Sequence, residues 1–473
     1  MTNNIKKPSQ TSWAQKKAFF LSSLSHNKRD FTVAPIKYSL GLLAIPMMLE
    51  MSMEAIFAVV DIAFVSWLGT NAIAAVGITE AIVTVLYAIA TGLGITVTAM
   101  VSRRIGEKKP GTAAKIVGQT IWIGALISFI TGCIGVLYAP DLLRLLGASE
   151  AVITEGKDFA SILLGGSFSI VYLFLLNAAF RGAGDATVAL RSLTIANLLN
   201  IILDPCLIFG LGPFPELGVT GAAVATTIGR TVGVSYLLYF LFVGNGRVKL
   251  VSRDLILVPS LIKRIFRVSL YAIGQFLITT TSWIVLIRII ALFGTAPVAA
   301  YTVTLRLMEF VWLPCWGLGN ATATLVGQNL GAKKPERAKQ TVWEGAKYNL
   351  MLMTLLGLIQ IIFAPQIISL FSTEQEVIRH GINCLRIIGA GFPAYAIGMI
   401  IIQSLNGAGD MITPSIMNFI CFWLIQIPLA YWLSAIVNVG PSGVFIAIIL
   451  SETLLTVMAV WFFRKDSWLK QQI

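Results

Sequence analysis

The chain has 473 residues, of which 56% are hydrophobic and only 12% charged, with a formal net charge of +13. Soluble domains carry about 25% charged residues, so the composition excludes an ordinary soluble domain and reads as a polytopic membrane protein. The apolar stretches run to about 20 residues or more, which suits spanning helices rather than the alternating strands of a barrel.

Residues 1–37 form a polar, basic tail. It lacks the apolar core and small-residue cleavage site of a signal peptide. "WAQKKAFFLSSL" from Trp13 has the make-up of a short amphipathic helix on an anionic leaflet, although a disordered cytosolic tail is the plainer reading. Twelve apolar segments follow, at roughly 39–66, 72–100, 115–138, 156–181, 188–211, 218–244, 264–292, 297–326, 339–364, 381–406, 411–436 and 441–464. The predicted fold is all-α, with twelve transmembrane helices in two six-helix bundles. Residues 38–246 form the N-lobe, 247–263 a cytosolic linker, 264–464 the C-lobe and 465–473 a cytosolic tail.

The first segment carries three acids in "LEMSMEAIFAVVDIAF": Glu50, Glu54 and Asp61. Spacings of four and seven place them on nearly one side of a helix. A charge at mid-bilayer costs about 2.5–3.5 kcal/mol on the insertion scale, so such residues face a cavity or a partner. Pairing with a cation, or proximity to headgroups, is the plainer account of Glu50 and Glu54. The fourth segment ends near Asn177. The fifth, "ANLLNIILDP", sets Asn197, Asn200 and Asp204 on one face. An Asp with Asn nearby in an apolar helix can hold a proton or coordinate a monovalent cation. Interhelical hydrogen bonding is the alternative, and it accounts for Asn197 by itself. Arg306 and Glu309 are spaced to pair with each other. Arg230 and Glu452 occupy roughly corresponding places in the sixth and twelfth segments, one basic and one acidic, and structural pairing is the first reading of both.

Three repeats share one offset of 225 residues: "GTNAIAAVGIT" at 69–79 with "GTAPVAAYTVT" at 294–304, the stretch from Gly92 with that from Gly317, and "RGAGD" at 181–185 with "NGAGD" at 406–410. Six spans per half is an even number, so both halves enter from the same side as parallel repeats, a layout of secondary transporters. At the common offset Asp61 maps to Leu286, Asn177 to Ile402, Asn200 to Ile425 and Asp204 to Leu429. The second half keeps the scaffold without the polar cluster, which marks the cluster as functional.

Of the 35 Lys and Arg, only Arg144, Lys157, Arg379 and Arg386 fall on the outer side, and only Arg230, Arg288 and Arg306 lie within spans. The rest sit inside, which places both termini in the cytoplasm. The net charge is thus a topology signal and implies no nucleic-acid partner. There is no Walker-type loop, so no ATP site is expected. Cys133, Cys206, Cys315, Cys384 and Cys421 are scattered without metal-ligand spacing, so neither a disulfide nor a metal site is expected beyond a monovalent cation. With only His26 and His380 available, buried proton chemistry falls to carboxylates. An enzyme is not indicated, and no cofactor is expected.

The chain resembles the multidrug and toxic compound extrusion (MATE) family from about Pro46 to the twelfth span. The marks are "VVDIAFVSWLG", the "RGAGD/NGAGD" pair, "ILDP" at 202–205, "GVTGAAVAT" from Gly218 and "LVGQNLGAKKPERA" from Leu325. "ILDP" and "RLMEF…GLGNATATLVGQNLGA" are most similar to its bacterial and archaeal DinF-like branch. The resemblance implies a monomeric inner-membrane antiporter that expels cationic or amphiphilic organic compounds in exchange for H⁺ or Na⁺. Two lobes would open a cleft alternately to each side. It assigns ion coupling to Asp61, Asn177, Asn200, Asp204 and Thr226. Thr279 stands where another branch has a C-lobe Glu, and Glu50 and Glu54 depart from the family and are expected to line the cavity. A lipid-linked precursor flippase of the same superfold is the alternative, and a non-transporting receptor or scaffold is the rival from another class.

Overall fold

The computed structural model describes residues 13–25, 30–244, 246–471 and 473, without the side chains of residues 13–16, 58, 59, 61, 62 and 66. His26 lies outside them. Helix α1 (Trp13–Ser23) covers most of the stretch read as amphipathic. Its Phe19 ring packs 5.3 Å from Tyr38, so the tail is docked on the first span.

Among the described residues twelve helical spans are long and apolar enough to cross a membrane. The first six are α2 (Ile36–Ser66), α3 (Thr70–Gly106), α4 (Pro110–Leu145), the broken pair α5 (Glu150–Gly165) and α6 (Ser167–Ala183), α7 (Ala186–Phe209), and α8 (Val219–Phe242). The second six are α9 (Pro259–Ile290), α10 (Thr295–Gly331), α11 (Pro335–Ser369), α12 (Gln375–Ala408), α13 (Ile412–Ile436) and α14 (Pro441–Arg464). In α13, π-helical stretches at Phe419–Gln426 and Trp432–Ile436 flank Pro428, whose missing N–H cannot continue the ordinary ladder.

The parallel repeat is visible at the level of single residues. Gly69 and Gly294 enter their helices with φ of 106° and 109°, and Lys108 and Lys333 turn with φ of 59° and 58°. Contacts between the halves obey the same twofold. A Cβ on Gly106 would overlap the Gln328 carbonyl, and one on Gly331 would overlap the Arg103 carbonyl. Residues 103 and 328 are themselves one offset apart. Gly92 meets Ile273 as Gly317 meets Met48. Each relation swaps the two halves, as a pseudo-twofold along the bundle axis requires and an inverted repeat does not.

The halves also exchange the leading stretches of their first helices. Leu40, Leu43 and Met47 of α2 belong to a core built with α10, α12 and α14. Reciprocally, Ile265 and Ala272 of α9 join the core of α3 to α8. The backbones of the two halves therefore touch from mid-bundle to the end that carries the chain termini. Both tails brace that end. Lys334 donates to the Thr32 carbonyl at 2.9 Å, and Arg337 donates to the carbonyls of Phe31 and Ala34. Arg247, paired with Asp185 at 3.6 Å, lies over the Phe31 ring. Partial burial pushes the Asp30 carboxyl up, but two hydrogen bonds from Thr32 and the charges of Lys108 and Lys334 outweigh it and hold it below the usual carboxylate range. From the other tail, the Ile473 carbonyl accepts from Arg104 at 2.6 Å.

A valine at Gly106 or Gly331 is expected to wedge this seam apart. In a background without native cysteines, a Cys replacing the buried Ser102 should then react with a maleimide several-fold faster. An unchanged rate contradicts the close backbone contact.

Candidate functional site

The polar side chains buried in the first half fall into three groups. In the first, Glu50 is 1% exposed and accepts a hydrogen bond from Arg181 at 2.6 Å. Arg181 opens the "RGAGD" turn at the end of α6, and its carbonyl accepts from Thr324 of α10. The pair therefore ties α2 to α6 beside the seam. Pairing with a cation, the plainer reading of Glu50, is what the geometry displays, and the partner is Arg181. The repeat carried the signal: Glu50 and Arg181 map to Gln275 and Asn406 at the common offset, so both charges are lost together.

The second group surrounds Arg230 on α8. This guanidinium donates to the Tyr87 hydroxyl at 2.8 Å and lies 5.0 Å from the centre of the Phe57 ring and 5.8 Å from that of Tyr87. A cation over aromatic faces is stabilised by the ring quadrupole. Glu54 sits one helical turn before Phe57, and the cations acting on it are Arg230 first and Arg181 second. Glu54 is half-buried, unlike Glu50. The cage of Phe57 and Tyr87 had no signature in spacing, because it joins three helices.

The third group lies between α7 and α8. The Asn200 amide donates to Asp204 at 3.1 Å and to Thr226 at 3.2 Å. All three residues are buried, Asp204 completely. The helices approach closely because Gly229 faces the Ala196 carbonyl, where a Cβ would sit only 2.6 Å away. Pro205 has no N–H to offer the Ile201 carbonyl, which loosens the helix next to Asp204. The Oδ1 atoms of Asn200 and of the buried Asn177 on α6 have no hydrogen-bond donor among the described residues. Unpaired acceptor oxygens in a dry site are costly, and a proton donor or a monovalent cation would satisfy them. No described hydrogen bond joins Asn177 to the other three.

Asn197 donates to the Met53 carbonyl at 2.9 Å, the interhelical bond expected of it. That contact also fixes a register. α2 and α7 are both odd-numbered spans and run the same way. Asp61 lies eight residues beyond Met53 and Asp204 seven beyond Asn197, so at a common rise per residue the two acids share one depth. The Asp61 side chain is outside those described. In the second half, Leu286 is fully buried among apolar neighbours, with Leu429 packed on the same core. Thr279 accepts from Asn418 at 3.2 Å. Among the described residues no three His, Cys, Asp or Glu cluster to hold a metal, and all five cysteines are free.

Glu50→Gln strands Arg181 in a buried site and should cost about 3–5 kcal/mol, read as a lower melting temperature. Adding Arg181→Asn copies the neutral pair of the second half and should recover most of that loss. A double variant no more stable than Glu50→Gln contradicts the pairing.

A family model described as MatE matches residues 46–206 and again residues 272–432, one copy in each half. The probable multidrug resistance protein YoeA of Bacillus subtilis is 26% identical over 439 residues, covering 92% of this chain and 95% of that one. The FAD transporter of Shewanella oneidensis is 27% identical over 422 residues, covering 89% and 93%. The solved structure of a MOP superfamily transporter from Pyrococcus furiosus superposes with a TM-score of 0.87 at 26% identity, over 93% of this chain and 98% of that one. With its family matched in both halves, the chain belongs to the multidrug and toxic compound extrusion family and is a multi-pass membrane transporter, not an enzyme.

Proposed function

We propose that this protein exports cationic or amphiphilic organic compounds from the cytoplasm across the inner membrane as a monomer, in exchange for H⁺ or Na⁺. The carrying observation is the buried Asn200–Asp204–Thr226 cluster, whose Asn200 and Asp204 fall on Ile425 and Leu429 in the second half. In this reading Asp61, Asn177, Asn200, Asp204 and Thr226 take up the coupling ion. Two acids at one depth repel when both are ionised, so the site favours a bound proton or cation. With both termini in the cytoplasm, the closed seam faces the cytoplasm, and exchange proceeds by alternate opening of the two ends.

The name FAD transporter, borne by one relative, raises a dinucleotide as cargo. Here the half-buried Glu54 and Glu80, on α2 and α3, would repel a pyrophosphate. A lipid-linked precursor flippase meets the same obstacle. Of the three intramembrane arginines it would use, Arg230 is engaged by Tyr87 and Arg306 by Glu309 at 3.9 Å, which leaves Arg288. Cation export is therefore favoured.

Efflux of a fluorescent cation from proteoliposomes, under separate H⁺ and Na⁺ gradients, tests the proposal and identifies the ion. Asp204→Asn is expected to lower gradient-driven efflux at least about tenfold, the loss of a buried charged ligand, at normal expression. Wild-type efflux in that variant would refute the coupling site. Glu54→Gln separates two roles. Loss of a substrate contact weakens export of cations more than of neutral compounds at an unchanged melting temperature. Equal loss for both, with lower stability, assigns Glu54 to holding Arg230 instead.

A further inference from the structure

The pseudo-twofold puts Glu452 in the place of Arg230. Gly218 and Gly440 open α8 and α14 with matching positive φ, 56° and 69°. Arg230 and Glu452 each lie twelve residues further on. Tyr87, the hydrogen-bond partner of Arg230, corresponds to Trp312 at the common offset.

The surroundings of Glu452 are those of a cation cage without a cation of its own. Trp312 lies 5.2 Å from the ring of Trp283 and 5.9 Å from that of Tyr395. These three rings, with Tyr301 and Glu452, line one cavity of about 30 Å³. The Oε2 atom of Glu452 and the indole N–H of Trp312 are both buried without a hydrogen-bond partner among the described residues. No described ion pair engages Glu452. A carboxyl group without an ion pair among the described residues and several aromatic rings thus line one small space.

The first half shows what such a space holds. There Phe57 and Tyr87 receive the guanidinium of Arg230, supplied by the chain itself. In the second half the chain supplies a carboxyl group instead, and the cation that would complement it comes from outside. We infer that the cavity lined by Glu452, Trp283, Trp312 and Tyr395 binds the ammonium or guanidinium head of a small organic cation. An N–H-bearing head of this size suits the volume and donates to the carboxylate, while the rings face its charge. A quaternary head is larger and has no N–H to give. Binding here stands on its own. That the bound cation is an export substrate rests on the function proposed above.

The test is calorimetric titration of the full-length, detergent-solubilised protein with phenethylammonium, its trimethylated analogue and Na⁺. Phenethylammonium should bind with one site per chain and at least about tenfold tighter than the analogue. Glu452→Gln should weaken it about tenfold or more, and Glu452→Asp should retain most of the affinity. Where Glu452→Gln does not fold, Trp312→Leu carries the test, with a loss of several-fold. Undiminished affinity in the folded variants, equal binding of the analogue, or competition by Na⁺ alone at the same site each overturn the inference. Because binding is read without any gradient, its failure leaves the export proposal standing, and the loss of coupling would not produce it.

Discussion

A charge inside hydrocarbon has to be paired, caged or neutralised, and that constraint organises this molecule. Glu50 meets it with Arg181. Arg230 meets it with the hydroxyl and face of Tyr87 and the face of Phe57. Asp204 lies fully buried and accepts from an amide that also reaches Thr226. Each solution draws on at least two spans, so the charges pin helices to one another while they are being satisfied. The first and third solutions differ in kind. An ion pair answers its own charge, although the second Glu50 oxygen keeps no donor among the described residues. An amide beside an acid leaves acceptor oxygens over, and the proposed coupling ion would satisfy them.

The twofold shows which features belong to the scaffold and which do not. Glycines at 106 and 331, and at 92 and 317, recur because the two backbones must touch there, and any transporter built this way needs a seam that closes. The buried polar clusters do not recur. Leu286 and Leu429 stand where Asp61 and Asp204 stand in the first half, and Glu452 stands in the place of Arg230. The halves thus share a mechanical task and divide the chemical one. The exchange of α2 and α9 between cores makes the division workable, because a change around α2 in one half is felt directly in the packing of the other.

Much of the fold was legible in the sequence. Hydropathy marked twelve spans, and ungapped repeats at one offset gave the parallel relation. The stripe of Asn200 and Asp204 followed from helical spacing, and the bridging role of Asn197 from the tendency of buried Asn to bond across helices. What stayed hidden was contact between distant spans. Nothing local connects Glu50 with Arg181, residues 131 apart, although the joint change to Gln275 and Asn406 marks them as a pair. The aromatic cages were invisible for the same reason: aromatic residues are common in apolar spans, and only the packing shows which rings share a space. The seam glycines read as turn or spacer residues until the facing carbonyls are known.

The central claim is that the buried cluster on α7 and α8 is where the coupling ion binds. The direct measurement is a count of ions per protein molecule in detergent: protons taken up or released in unbuffered solution on a pH jump near neutrality, and radioactive Na⁺ retained at equilibrium. The account predicts one saturable ion per wild-type chain, lost in Asp204→Asn at an unchanged melting temperature. The same ion count in that folded variant would contradict it.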